Sequence, residues 1–142
     1  MEDQQRLEEM VNEINMYNQQ AELIQQQIEM IRSSLTEVEV LDSTLEDLKE
    51  KDSVEAFIPI GAGSFMKGEI NKTDEVIMSV GSGVAISKNL EGAKETLSTQ
   101  KKELEDNLDK MLANLQQVSD ILGKLSPQAE QLANKLQTQQ IQ

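Results

Sequence analysis

The chain has no cysteine, no histidine and no tryptophan, and its 142 residues include one tyrosine and two phenylalanines. Without cysteine there is no disulfide, no thiolate metal site and no thiol nucleophile. Without histidine, the commonest general base and the commonest metal ligand are missing. A serine or threonine nucleophile would need another activator, such as lysine, and no spacing here suggests one. The two absences leave no constellation for an enzyme and no recognisable site for a cofactor or a metal. The aromatic content of 2% argues against an ordinary compact core, which draws much of its buried area from such rings. Leu, Ile, Val and Met must supply the burial, and that bias suits long helices packed in pairs along a narrow seam.

Positive charge is scarce as well: 13 Lys and Arg stand against 26 Asp and Glu, a formal net charge of −13. Residues 1–52 carry 14 acidic and 4 basic side chains, residues 53–87 carry 4 and 2, and residues 88–142 carry 8 and 7. An acidic chain repels phosphate backbones, which disfavours nucleic-acid binding. There is no basic amphipathic face for a lipid surface and no apolar run near the ~20 residues that span a bilayer. The segment MEDQQRLEEM is acidic from the start and has no apolar signal core. The expectation is a soluble, cytoplasmic protein.

What is present falls into three segments: 1–52, 53–87 and 88–142. In the first, Leu7, Met10, Ile14, Tyr17, Ala21, Ile24, Ile28, Ile31, Leu35 and Val38 recur in alternating steps of three and four, with Glu and Gln between them. This is the signature of a coiled-coil helix. Asp42 interrupts the row before Leu45. In the last segment, Leu90, Leu97, Leu104, Met111, Val118, Leu125 and Leu132 form one seam row. Lys94, Lys101, Leu108, Leu115, Leu122, Ala129 and Leu136 form the other. Gly123 and Ser126-Pro127 predict a kink or short break near the far end. Between the helices, VEAFIPI, SFMKGEI, EVIMSV and VAIS are β-prone runs separated by GAG, NKTD and GSG. They read as four strands in two hairpins, the glycines supplying the positive φ that tight turns demand. A lone hairpin is marginal in water, and four short strands leave edges unpaired, so this head is expected to complete itself against other chains.

The heptads predict an antiparallel register as well. Leu35 should face Leu104, Ile31 Leu108, Ile28 Met111, Ile24 Leu115, Ala21 Val118, Tyr17 Leu122, Ile14 Leu125, Met10 Ala129, and Leu7 Leu132, every layer apolar on both sides. The defects cluster near the head, where Val38, Asp42 and Leu45 meet Lys101, Leu97 and Lys94. The favoured expectation is that the helices splay there and the lysines reach water; if a pair forms instead, Asp42 with Lys101 is the expected one. At the other end the two termini should lie together, roughly 60 Å from the head at 1.5 Å per helical residue. There Leu7, Met10, Val11, Ile14, Leu125, Leu132 and Leu136 either zip the hairpin shut or offer apolar surface to a partner.

The stretches AELIQQQIEMI, EVLDSTLEDL, FIPIGAGSFMKGEI, EVIMSVGSGVAISKNLEGA and KLSPQAEQL resemble the alpha-type subunits of the prefoldin (GimC) family in their archaeal form. The likeness covers nearly the whole chain in order. Two hairpins between the helices mark the alpha type; the beta type has one. The resemblance implies a hexamer of two alpha and four beta subunits in which the strands build a β-barrel platform and the coiled coils project from it. It implies an ATP-independent chaperone that holds non-native proteins at the coiled-coil tips and passes them to a group II chaperonin. On this chain the assembly role would fall on Phe57, Ile58, Ile60, Phe65, Met66, Ile70, Val76, Ile77, Val80, Val84 and Ile86. The holding role would fall on Leu7, Met10, Val11, Ile14, Leu125, Ala129, Leu132 and Leu136. The competing expectation is a structural tether that oligomerises through its head and uses its helices as a spacer. GAGS and GSG lack the pattern of a phosphate-binding loop and read as turns.

Overall fold

The computed structural model describes residues 2–141. Helix α1 spans Glu2–Leu48 and is followed by strands β1 (Val54–Gly61), β2 (Ser64–Ile70), β3 (Glu75–Gly81) and β4 (Val84–Asn89), then helix α2 (Leu90–Ile141). Two long helices thus flank a central insert of two antiparallel hairpins, the fold class that the two periodicities predict. The chain divides into two compact units, one of residues up to Ser33 with Glu105 onward, the other Ser34–Leu104.

Within the first of these units, the helical side chains withdrawn from solvent follow the three-and-four spacing. Leu7, Met10, Ile14, Tyr17, Ala21, Ile24, Ile28 and Ile31 on α1, and Leu108, Met111, Leu115, Val118, Leu122, Leu125, Ala129 and Leu132 on α2, are buried or half-buried, while the Glu and Gln residues between them are exposed. The register is marked by ion pairs at the seam edges. Lys135 Nζ lies 3.5 Å from Asp3 in one unit; in the other, Lys101 Nζ lies 3.9 Å from Glu39 and Lys94 is bonded to Glu46. Each partner is within one residue of the position that the apolar layers dictate.

Two expectations for the helices need correction. Lys101 pairs with Glu39 and not with Asp42. Glu39 sits on the flank of the seam, where the lysine can stretch its stem over apolar surface and keep its charge in water. The Lys101 side chain is 45% exposed, so the pair contributes at most about 1 kcal/mol. Of the kink or short break expected at Pro127, the break is absent: α2 runs continuously through it. Proline removes one backbone donor and crowds the carbonyl four residues back. That residue is Gly123, with nothing within 4 Å of where its β-carbon would be, and the layers on either side, Leu122, Leu125, Ala129 and Leu132, keep their place in the seam.

Helix α2 starts directly from β4. Asn89 Oδ1 accepts a hydrogen bond from the Gly92 N–H at 2.7 Å, an N-cap that satisfies one of the free donors of the first turn. Helix α1 ends as Glu50 enters the left-handed region at φ 69°.

The two hairpins share one framework. Glu55 pairs with Glu69 as Glu75 pairs with Asn89, Ile58 with Met66 as Met78 with Ile86, and Gly61 with Ser64 as Gly81 with Val84; each ladder has its irregularity just before the turn. The turns match too: Ala62 and Gly63 have φ of 48° and 75°, Ser82 and Gly83 have 54° and 74°. Two successive positive φ values define the turn that suits the right-handed twist of a hairpin. Met78 joins Leu45, Ala93 and Leu97 in a small core, with Val38, Leu41, Val76 and Leu90 packed around it. The loop between the hairpins is tied to both helix ends, because the Thr73 hydroxyl donates to the Lys51 carbonyl and the Leu90 N–H donates to the Asp74 carbonyl at 3.2 Å.

Candidate functional site

Two groups of residues are candidates, one on the strands and one around Met10 and Ala129 in the other unit. On the strands, Phe57, Ile58, Ile60, Phe65, Met66, Ile70, Ile77, Val80, Val84 and Ile86 are all exposed, Phe57 at 70% and Ile77 at 76%. Pairing fixes which of them share a face, since residues directly opposite in an antiparallel ladder project to the same side. On the first hairpin, Ala56, Ile58, Met66 and Gly68 lie on one face, and Phe57, Pro59, Phe65 and Lys67 on the other. Gly68 is where the Ile58 side chain folds across the ladder: a β-carbon there would collide with it. On the second hairpin, Val76 and Met78 project toward the helix core while Ile77 projects away. Val76, half-buried, is the one residue of the expected strand set that this core covers in part. Met78, absent from that set, is the residue that anchors the hairpin. Alternation along Val76, Met78 and Val80 is the signal that would have drawn attention to it.

Apolar side chains are costly to leave in water, at about 25 cal/mol per Å², and both hairpins have unpaired edges because they form two separate two-stranded sheets. A surface with open edges and large exposed Phe, Ile and Met side chains is suited to strand addition and apolar packing by other chains.

In the other unit, Met10 and Ala129 are buried, Leu7, Ile14, Leu125, Leu132 and Leu136 are half-buried, and Val11 is exposed at 44%. Seven of the eight expected residues therefore lie in the seam. They are not sealed there. Met10 and Leu132 floor a groove with Arg6, Gln128, Gln131 and Lys135 as its walls, and Leu7 and Leu136 line a second with Gln4, Ala133, Gln137 and Gln140. The Asp3–Lys135 pair crosses the hairpin in this region.

A third set stands outside the seam, at positions the heptad rows pass over: Met16, Leu23 and Met30 are exposed on the outer side of α1. Among the described residues, no group of acidic side chains is arranged to hold a metal ion. No described helix is long and apolar enough to cross a membrane.

The family model for prefoldin subunits matches residues 17–135. Prefoldin subunit alpha of Methanobrevibacter smithii is 65% identical over 94% of this chain and 91% of its own length. That of Pyrococcus horikoshii is 32% identical over 91% of this chain and 88% of its own. Among solved structures, a chain of the filamentous PFD from Methanocaldococcus jannaschii matches with a TM-score of 0.54, covering 87% of this chain and 97% of that one at 22% identity; this likeness concerns the fold alone.

Proposed function

The chain belongs to the prefoldin family of chaperone subunits, in its alpha type, and from that premise we propose that it holds non-native polypeptides without ATP and delivers them to a group II chaperonin. Its partners in this reading are beta-type subunits, two alpha with four beta, working in the cytoplasm. The exposed strand residues are the assembly surface, and the residues around Met10 and Ala129 are the holding surface.

The observation that carries the holding role is the pair of grooves floored by Met10, Leu132, Leu7 and Leu136. Their floors are apolar and their rims are mostly glutamine. An unfolded segment entering them would cover leucine and methionine side chains and would meet uncharged amides that both donate and accept hydrogen bonds. Burying even half a leucine at each floor is worth on the order of 1 kcal/mol per site. One chain therefore binds weakly, and several in one assembly bind firmly through linkage of their weak contacts.

A second reading, a rigid tether, is favoured by the burial of Met10 and Ala129, which is what a hairpin zipped shut would show. Trimming residues 1–14 and 125–142 separates the two. A holding subunit loses suppression of client aggregation while native mass measurement finds its assembly intact. A tether has no suppression to lose.

A further inference from the structure

We propose that the outward stripe Met16–Leu23–Met30 of α1 is a second contact surface for the held polypeptide, one that takes segments both apolar and basic. The proposal rests on the holding role above and assigns it a surface apart from the grooves.

Met16, Leu23 and Met30 are 53%, 60% and 70% exposed, and packing of the hairpin does not account for them. The seam on these turns is made by Tyr17, Ile24 and Ile31, which are half-buried. Seven residues are close to two helical turns, so the three side chains stand in one line with steps of about 10 Å.

The immediate surroundings are unusual for a chain that is 27% charged. The residues three and four positions away, which border the stripe on the helix surface, are Asn12, Glu13, Gln19, Gln20, Gln26, Gln27, Ser33 and Ser34. Only Glu13 is charged. Covering amides costs far less than covering carboxylates, and each glutamine can donate to and accept from a peptide backbone. Two of the three apolar residues are methionines, whose unbranched thioether adapts to differently shaped partners.

The sign of the partner's charge follows from what lies farther out. Glu9, Glu22 and Glu29 rim the stripe, and the cations of α1 are Arg6 and Arg32 alone. Such a field draws in a lysine- or arginine-bearing segment and repels an acidic one. A single line of three side chains gives a weak, rapidly exchanging contact, as holding without an energy source requires.

The test uses the full-length assembled protein and two fluorescein-labelled peptides, one alternating leucine with lysine, the other leucine with glutamate. The variant Met16→Gln/Leu23→Gln/Met30→Gln alters exposed positions only, so its thermal melting and native mass should match the parent. The expected result is about tenfold weaker binding of the lysine peptide to the variant. The glutamate peptide should bind the parent at least tenfold more weakly than the lysine peptide, a gap that narrows with added salt. Unchanged lysine-peptide binding in the variant overturns the stripe, and so does a change in assembled mass, which would make the stripe a seam between copies. A full-length Leu7→Gln/Leu136→Gln variant, which changes both leucines of the second groove and no charge, keeps the two surfaces apart. Binding kept there and lost in the triple variant supports the stripe whatever the termini do. The reverse pattern overturns it and leaves the grooves as the holding site.

Discussion

Hairpin β1–β2 and hairpin β3–β4 run through the same pairing ladder, the same irregularity and the same positive-φ turn, yet only the second is anchored in the core of its own chain. Where the second hairpin places Met78, 9% exposed, against Leu45, Ala93 and Leu97, the first has Ile58 at the equivalent position, 47% exposed and lying over Gly68. Where the first presents Phe57 and Phe65, the second has Ile77 and Ala85. The backbone framework is therefore neutral about function. A methionine long enough to reach the helices ties one copy down, and aromatic side chains with nothing to cover them leave the other reaching outward.

Substitutions in each hairpin test this contrast. The largest effect is expected from Phe57→Ser with Phe65→Ser, which should collapse the assembly to smaller species in native mass measurement. The same change should move the stability of the isolated chain by no more than about 0.5 kcal/mol, as is usual for exposed sites. Loss of chain stability with assembly preserved would reverse the roles assigned to the two hairpins. Next, Met78→Ala should cost about 2–3 kcal/mol in chemical denaturation, the range for truncating a buried side chain, while the equivalent Ile58→Ala should cost under about 1 kcal/mol. Equal costs would show that both hairpins are anchored alike. Gly63→Ala and Gly83→Ala place a β-carbon at φ of 75° and 74°, for about 1–2 kcal/mol each. Nothing lies within 4 Å of either position, so the two costs should agree; a clear difference in the denaturation midpoints would mean that the turns are not equivalent. The smallest effect is expected from Thr73→Val, which removes the bond to the Lys51 carbonyl next to the anchored hairpin, at about 1 kcal/mol. Hydrogen exchange should quicken in the loop 71–74 and in β3, and stay unchanged in β1.

Much of this was legible in the residues. The seam of Leu7, Met10, Ile14 and their successors emerges from spacing alone, and the ion pairs Asp3–Lys135 and Glu46–Lys94 fall where the matched layers require. The strand limits follow the glycines and the change from a period of three and four to a period of two. What escaped has a common character. The partner of Lys101 depended on which of two nearby carboxylates the lysine stem could reach along the seam edge, a matter of three-dimensional reach and not of heptad position. Continuity through Pro127 depended on packing to either side of it, which a local propensity does not register. The stripe Met16–Leu23–Met30 is periodic in the sequence, but a second apolar row is conspicuous only once the first is known to be covered and it is not.

The order of helix, two hairpins and helix, and the line of side chains each helix turns inward, are properties of the chain read by itself, because the direction of a side chain on a regular element depends only on its own number. Which of two equivalent hairpins is anchored, which apolar residues stay in water and which carboxylate meets Lys101 were decided by the fold. Burial is a relation between residues far apart in the chain, and no period within one segment encodes what another segment brings to meet it.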